Sequence, residues 1–210
     1  MRCLQILAEA GLRVPITVLC RSPKSLKKAL EAVHGVPVIL KLLQGTQGVG
    51  VMLVHSPASL QSVLDTLNTL EQDVIIQEFL RESAGRDYRA VVVGGVVVAS
   101  MMRQAPQGEF RSNIHRGGAG VAIKLPPAYE RAAIRAASVV GLRIAGVDLM
   151  ETPSGPAVIE VNSSPGFEGI ERSTGKNVAI HLMKQVIREA RLHARSQRIK
   201  RQKKLQRKRK

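Results

Sequence analysis

Gly146-Val147-Asp148-Leu149-Met150 is followed, after the string Thr152-Pro153-Ser154-Gly155-Pro156, by Val158-Ile159-Glu160-Val161-Asn162. Two short apolar runs separated by residues dense in Pro, Gly, Ser and Thr read as a β-hairpin. Side chains alternate across a strand, so Glu160 and Asn162 share one face, Val161 takes the other, and Asp148 joins them from the paired strand. Two carboxylates and an amide oxygen are ligand chemistry for magnesium or manganese, hard cations whose shell phosphates often complete. The same pattern also fits three polar residues on a solvated sheet face.

Upstream, Val38-Ile39-Leu40-Lys41-Leu42-Leu43 is a buried-strand pattern carrying one lysine, and Gln44-Gly45-Thr46-Gln47-Gly48-Val49-Gly50 follows at once. Gly45, Gly48 and Gly50 let the backbone approach an anion closely, and Lys41 supplies a compact positive charge. No Gly-Lys-Ser/Thr ends the loop and Val51-Met52-Leu53-Val54 reads as a strand, so the P-loop pattern is excluded. A phosphate cradle and a glycine-rich hairpin with no ligand both fit.

The 210 residues are 44% apolar, enough for one sizeable core or two small lobes sharing one. Tryptophan is absent and aromatics are few, which argues against base stacking on single strands. Cys3 and Cys20 form no disulfide framework and no metal-spacing motif, and read as buried thiols in a reducing cytosol. No leader pattern and no run of about 18 apolar residues occurs, so no membrane partner and a cytoplasmic location are expected. The net charge is +16, but ten Lys/Arg and no acid fall between Arg195 and Lys210, leaving +6 for the rest. Such a run is a solvated, frayed helix end or a contact for ribosome or RNA through phosphate neutralisation.

Start and stop signals place the other elements. A helix ends at Gly11, Ser22-Pro23 opens a second through about Val33, and Ser56-Pro57 opens a third over residues 58–70. A strand covers residues 74–80, and a hairpin folds at Gly94-Gly95 between residues 88 and 102. Residues 110–120 read as a loop, Pro126-Pro127 precedes a helix to about Val140, and a long final helix runs into the basic tail. His34, His55, His181 and His193 show no ligand spacing, so no zinc site is expected.

In order along the chain, Lys41, the glycine loop, Ile76-Gln77-Glu78-Phe79, Asp87, Phe110-Arg111-Ser112-Asn113-Ile114-His115-Arg116-Gly117-Gly118, Gly146-Val147-Asp148 and Glu160-Val161-Asn162-Ser163-Ser164-Pro165-Gly166 resemble the ATP-grasp ligases. The likeness is to the RimK type, the ribosomal protein modification glutamate ligases, and extends from near Met1 to about Ile187. It implies an α+β, ATP-grasp fold over residues 1–193, with a smaller lobe at about 15–75 and a C-terminal lobe at 76–193 clamping ATP. A basic helical tail over 194–210, frayed or disordered, completes the expected organisation. The implied cofactors are ATP and two Mg2+ or Mn2+, and the implied reaction joins a carboxylate to an amine through an acyl phosphate. By the same resemblance Lys41 meets the α- and β-phosphates under a glycine lid, Glu78 and Phe79 read the adenine edge, and Asp87 reaches the ribose hydroxyls. Arg111, Ser112 and Asn113 face the γ-phosphate, Arg116 with Gly117-Gly118 faces the substrate carboxylates or the tetrahedral intermediate, and Asp148, Glu160 and Asn162 hold the metals.

Members of that family carry a preceding α/β domain, and an Asp-Lys pair introduces their first helix. Neither is present in these residues, so a truncated reading frame and a minimal surviving domain are both open. ATP binding is expected either way, with substrate selection dependent on the missing part. The implied partners are glutamate and a carboxylate acceptor, the C-terminus of small ribosomal subunit protein six, with a homo-oligomer in the intact family member. Competing readings are a ligase for a small-molecule or carrier-protein acceptor, and a non-catalytic ribosome- or RNA-binding module.

Overall fold

The computed structural model describes residues 2–43, 49–112 and 117–207, with residues 201–207 as backbone alone. The chain forms α1 (Arg2–Glu9), β1 (Thr17–Cys20), a 3-10 turn (Pro23–Ser25), α2 (Leu26–Ala32), β2 (Val38–Leu42), β3 (Val51–Val54), α3 (Pro57–Thr69) and β4 (Val74–Glu78). After a short 3-10 turn (Arg81–Ser83) come β5 (Arg86–Val93), β6 (Val96–Gln104), β7 (Ala119–Ala122), α4 (Pro127–Val139), β8 (Ile144–Thr152), β9 (Gly155–Asn162), α5 (Glu168–Thr174) and α6 (Val178–Arg207). The Ser-Pro signals act as read. Ser22 accepts from the Lys24 N–H, and Ser56 accepts from the Ser59 N–H at 3.1 Å with Pro57 opening α3.

Two antiparallel sheets result, β1-β4-β2-β3 and β7-β6-β5-β8-β9, which with their helices make an α+β fold. Strand parity decides what each face carries. In the small sheet Val38, Leu40, Val74 and Ile76 face α2 and α3 and pack with Leu26, Ala29, Leu60 and Leu64. The intervening residues Ile39, Lys41 and Gln77 line a cleft on the opposite face. In the large sheet Ala90, Val92, Val147, Leu149 and Val158 pack under α4 and α1, where Leu7 is fully buried. Burying one such leucine contributes about 2 kcal/mol to holding α1 on the large sheet, beside the partly buried Cys3 and Leu4.

The other face of the large sheet is divided. At the turn end, Val91, Val93, Ala99 and Met101 are covered by Ile170 of α5 and Val178 of α6. At the opposite end the same faces of the same strands carry Asp87, Arg89, Arg103, Asp148 and Glu160, and these line the cleft.

Two elements differ from the sequence reading. β4 is the second strand of the small sheet, so that lobe runs to Glu78 and not to 75. β7 forms within the segment read as loop, held by pairing with β6 although Gly120 lies within it. Residues 194–207 continue α6 as helix. Val178 to Arg207 contains no Gly or Pro and is rich in Ala, Leu, Lys, Arg and Gln, which favours an unbroken helix.

Candidate active site

The polar face of the small sheet and the charged part of the large one enclose a cleft of about 820 Å³. Lys41, Glu78, Phe79, Asp87, Arg111, Ser112, Asp148, Glu160 and Asn162 all line it. Gly45, Gly48, Asn113 and Arg116 lie outside the described residues. Gly50 closes the glycine loop with φ +75°, its carbonyl accepting from Leu42 N–H at 3.0 Å. A Cβ there would stand 2.9 Å from the Leu42 side chain, so glycine is required on both counts.

Lys41 is held by a chain of side chains across three strands. Its Nζ donates to Gln77 Oε1 at 2.7 Å, Gln77 Nε2 donates to Thr17 Oγ1 at 2.8 Å, and Thr17 donates to the Pro15 carbonyl at 2.8 Å. Burial lowers the Lys41 pKa, and Glu160 and then Asp148 oppose that by favouring the ammonium. Glu78 has a structural task as well as a place in the cleft, since its Oε1 accepts from the Ile16 N–H at 2.9 Å.

On the large sheet the charges form a cross-strand ladder. Asp87 faces Arg103 across β5 and β6, Arg89 faces Asp148 across β5 and β8, and Asp148 faces Glu160 across β8 and β9. Arg89 grips Asp148 with Nε at 2.7 Å and Nη2 at 2.6 Å, and Arg103 Nη2 lies 3.0 Å from the same carboxylate. Arg103 also forks onto Asp87, through Nε at 2.6 Å and through Nη2. Burial works to raise the Asp148 carboxyl, but Arg103 and then Arg89 outweigh it and hold it at about 2. For Asp87 burial wins and raises the carboxyl, against the pull of Arg103 and a hydrogen bond from Ser112. The Asp87 carboxylate is therefore engaged by Arg103 and Ser112 while it lines the cleft.

Glu160 stands at the open side of the ladder, and no hydrogen bond to it is present among the described residues. Partial desolvation, then the neighbouring Asp148 charge, raises its carboxyl, while Arg89, Lys41 and Arg103 pull it down. Asn162 Oδ1 accepts from Ser164 N–H at 3.0 Å, which fixes the amide against the following loop. A Cβ on Gly146, directly across from Asn162, would come within 2.7 Å of Pro165 Cβ. Glycine there lets the loop 163–166 fold back over the ligand strands. Arg111 is paired with Glu109 through Nε at 3.0 Å and Nη2 at 2.7 Å, donates to the Val51 carbonyl at 3.3 Å, and lies 5.1 Å over the Phe110 ring. That pairing, led by the hydrogen bond from Arg111, holds Glu109 at about 2.

Two carboxylates in register with an amide at the next same-face position suit a hard divalent cation. Among the described residues no group of three or more His, Cys, Asp and Glu comes together. A cation here would depend on ligands from outside the protein, and the cleft leaves room for them. Arg89, Arg103, Gln77 and Glu109 were not singled out from the sequence. The signal for two of them was available: Asp87 and Arg89 are two apart on one strand, and Arg103 is the next charged position after the diglycine turn.

Solved structures place this architecture among the ATP-grasp enzymes. The D-cycloserine synthetase DcsG aligns over 90% of this chain and 69% of its own, with TM-score 0.74 and 16% identity, a likeness of fold alone. The ATP-grasp ligase PsnB, solved with a phosphomimetic variant of its minimal precursor, Mg and ADP, aligns over 87% of this chain and 57% of its own, with TM-score 0.67 and 25% identity. Residues 1–186 match the RimK-like ATP-grasp domain, and the chain belongs to that family. A probable alpha-L-glutamate ligase of Pseudomonas putida is 49% identical over 179 residues, 85% of this chain and 60% of that protein. A protein of the same description from Hydrogenovibrio crunogenus is 45% identical over 193 residues, 92% of this chain and 64% of its own length. The chain thus spans about three fifths of the curated relatives it matches.

Proposed function

We propose that this chain is the ATP-grasp portion of an ATP-dependent α-L-glutamate ligase, forming an amide between an acceptor carboxylate and the amine of glutamate. The observation that carries the reading is the cleft itself, in which Lys41 of one sheet faces the Asp148–Glu160 pair of the other. The acceptor carboxylate oxygen attacks the γ-phosphorus of ATP, the bond to the ADP oxygen breaks, and an acyl phosphate results. The glutamate nitrogen then attacks the acyl carbon, phosphate departs, and the amine loses a proton.

Lys41 supplies a fixed positive charge to the phosphate chain, made more effective by its low-dielectric surroundings. Glu78 and Phe79, which line the cleft at the end of β4, would read the adenine edge. Arg111 and Ser112 bring donors to the side where phosphoryl charge develops, with Asn113 and Arg116 proposed as their neighbours in the same role. Asp148, Glu160 and Asn162 would hold magnesium or manganese, which supplies charge neutralisation for the transferring phosphoryl group. Arg89 and Arg103 are positioning residues: they keep Asp148 ionised and oriented. Asp87 anchors Arg103 in that task.

A peptide acceptor is favoured because PsnB, with a similar fold, is solved with its precursor peptides. Within that class we infer the acidic C-terminus of small ribosomal subunit protein six. Cys3 and Cys20 are free thiols, as fits the reducing cytoplasm in which such an acceptor resides. The test is mass spectrometry of a peptide ending in glutamate, incubated with the chain, ATP, magnesium and glutamate. Growth by glutamyl steps, abolished in Glu160→Ala, is expected. ADP release with no mass gain on that peptide, but with gain on another acceptor, would overturn the ribosomal assignment.

A further inference from the structure

The family match ends at residue 186, yet α6 runs on to Arg207 as the same unbroken helix. At a rise of 1.5 Å per residue, the part beyond the match is about 30 Å long. Its last acid is Glu189, which lies 3.7 Å from Arg143 on the body. Beyond it, residues 190–200 are exposed throughout, and residues 195–210 carry ten Lys/Arg and no acid. The domain answers its own acid and leaves this run of cations to something else.

The place where the helix departs separates it from the cleft. Gln185 packs against Gly94, and Glu189 meets Arg143, just ahead of β8, so α6 leaves at the turn end of the large sheet. Arg89 lies five residues from Gly94 along β5, about 17 Å at strand spacing. The cations therefore stand apart from substrate and product in the cleft.

The chemistry of the run selects its partner. Beyond Ala194 the apolar residues, Ile199 and Leu205, do not recur at three- and four-residue spacing, so the basic run lacks the apolar stripe by which a helix seats in a protein groove or a lipid interface. Seven Lys/Arg fall in residues 195–207, one for about every 3 Å of helix. That density matches the one phosphate per about 3.4 Å along each strand of a duplex. No Phe, Tyr or Trp is present in the run to stack on bases. We propose that residues 190–207 form a docking helix for the phosphate backbone of a nucleic-acid duplex, read by charge and not by sequence. The proposal does not rest on the ligase reading, and a chain that binds nucleotide in the cleft but no nucleic acid would overturn this proposal alone.

The experiment is fluorescence anisotropy of the full chain with a labelled RNA hairpin, with a DNA duplex, poly-L-glutamate and phosphatidylserine vesicles as parallel arms, between about 50 and about 200 mM salt. Salt-sensitive binding to RNA, DNA or both is expected, and a preference between them identifies the nucleic acid. Ending the chain after His193 removes an exposed helical extension and should abolish binding. The combined variant Lys200→Gln, Arg201→Gln, Lys203→Gln, Lys204→Gln, checked for helicity by circular dichroism, should reduce the slope of log affinity against log salt by about 3 to 4. Unchanged affinity and slope in that variant, or tighter binding to poly-L-glutamate or vesicles than to either nucleic acid, would overturn the proposal.

Discussion

Two guanidiniums meet one carboxylate at Asp148, Arg89 in a fork and Arg103 at 3.0 Å, and the consequence is measurable as a dependence of stability on pH. The folded carboxyl sits at about 2, below its ordinary value of 3.8, so between those values the folded protein binds fewer protons than the unfolded chain. The contribution is present above about pH 4 and is lost as pH falls through about 2; a shift of this size corresponds to about 2 kcal/mol. Asp87 works the other way, because burial raises its carboxyl and it favours the protonated form. Asp148→Asn removes the first contribution, so urea unfolding from pH 2 to pH 5 should show a flatter rise of stability than in the parent. At neutral pH the variant should lose about 3 kcal/mol, since the buried Arg103 and the half-buried Arg89 lose their shared anion. An unchanged pH slope would mean that Asp148 is not the group these arginines hold. Asp148, Glu160, Asn162 and Lys41 were legible in the sequence because polar residues at fixed parity in apolar strands announce a site. Arg89, Arg103 and Glu109 were less so, since their partners are set by cross-strand register and loop closure, and a single sequence does not display these.

The hairpin β8–β9 with its following loop is the element on which the site is built, and Gly146 sets how closely the loop packs. Gly146→Ala would drive a methyl toward Pro165 Cβ, backed by a ring with little freedom to move. Overpacking of this kind costs about 1–3 kcal/mol, which for a chain of this size lowers Tm by about 3–10 °C. Because Asn162 is tied to Ser164, divalent binding should weaken along with stability, as read by manganese electron paramagnetic resonance with a nucleotide analogue present. A variant with unchanged Tm and unchanged manganese binding would contradict the packing argument. The hairpin, the Ser-Pro helix starts and the diglycine turn were readable because each depends on residues adjacent in sequence. β7 was not, because its glycine-rich sequence has weak strand preference and takes its form from β6. The lobe boundary was placed too early for a similar reason, since β4 joins the small sheet through pairing with β1 and β2 over distances of about 35 to 60 residues in sequence.

At the scale of the molecule, two sheets each bury one face under helices and turn charged residues of the other toward a shared cleft. No helix among the described residues is long and apolar enough to cross a membrane. A ligand that bridges the sheets should stabilise both together, by about 3 kcal/mol at a hundredfold excess over its Kd. The most direct measurement is therefore a titration of the chain with magnesium and a non-hydrolysable ATP analogue, followed by calorimetry and by thermal unfolding, beside Lys41→Ala and Asp148→Asn. Saturable one-to-one binding that raises Tm by several degrees and weakens at least tenfold in each variant is the predicted result. Failure of the analogue to bind, or binding that neither substitution affects, would contradict the assignment of the cleft as the ATP site.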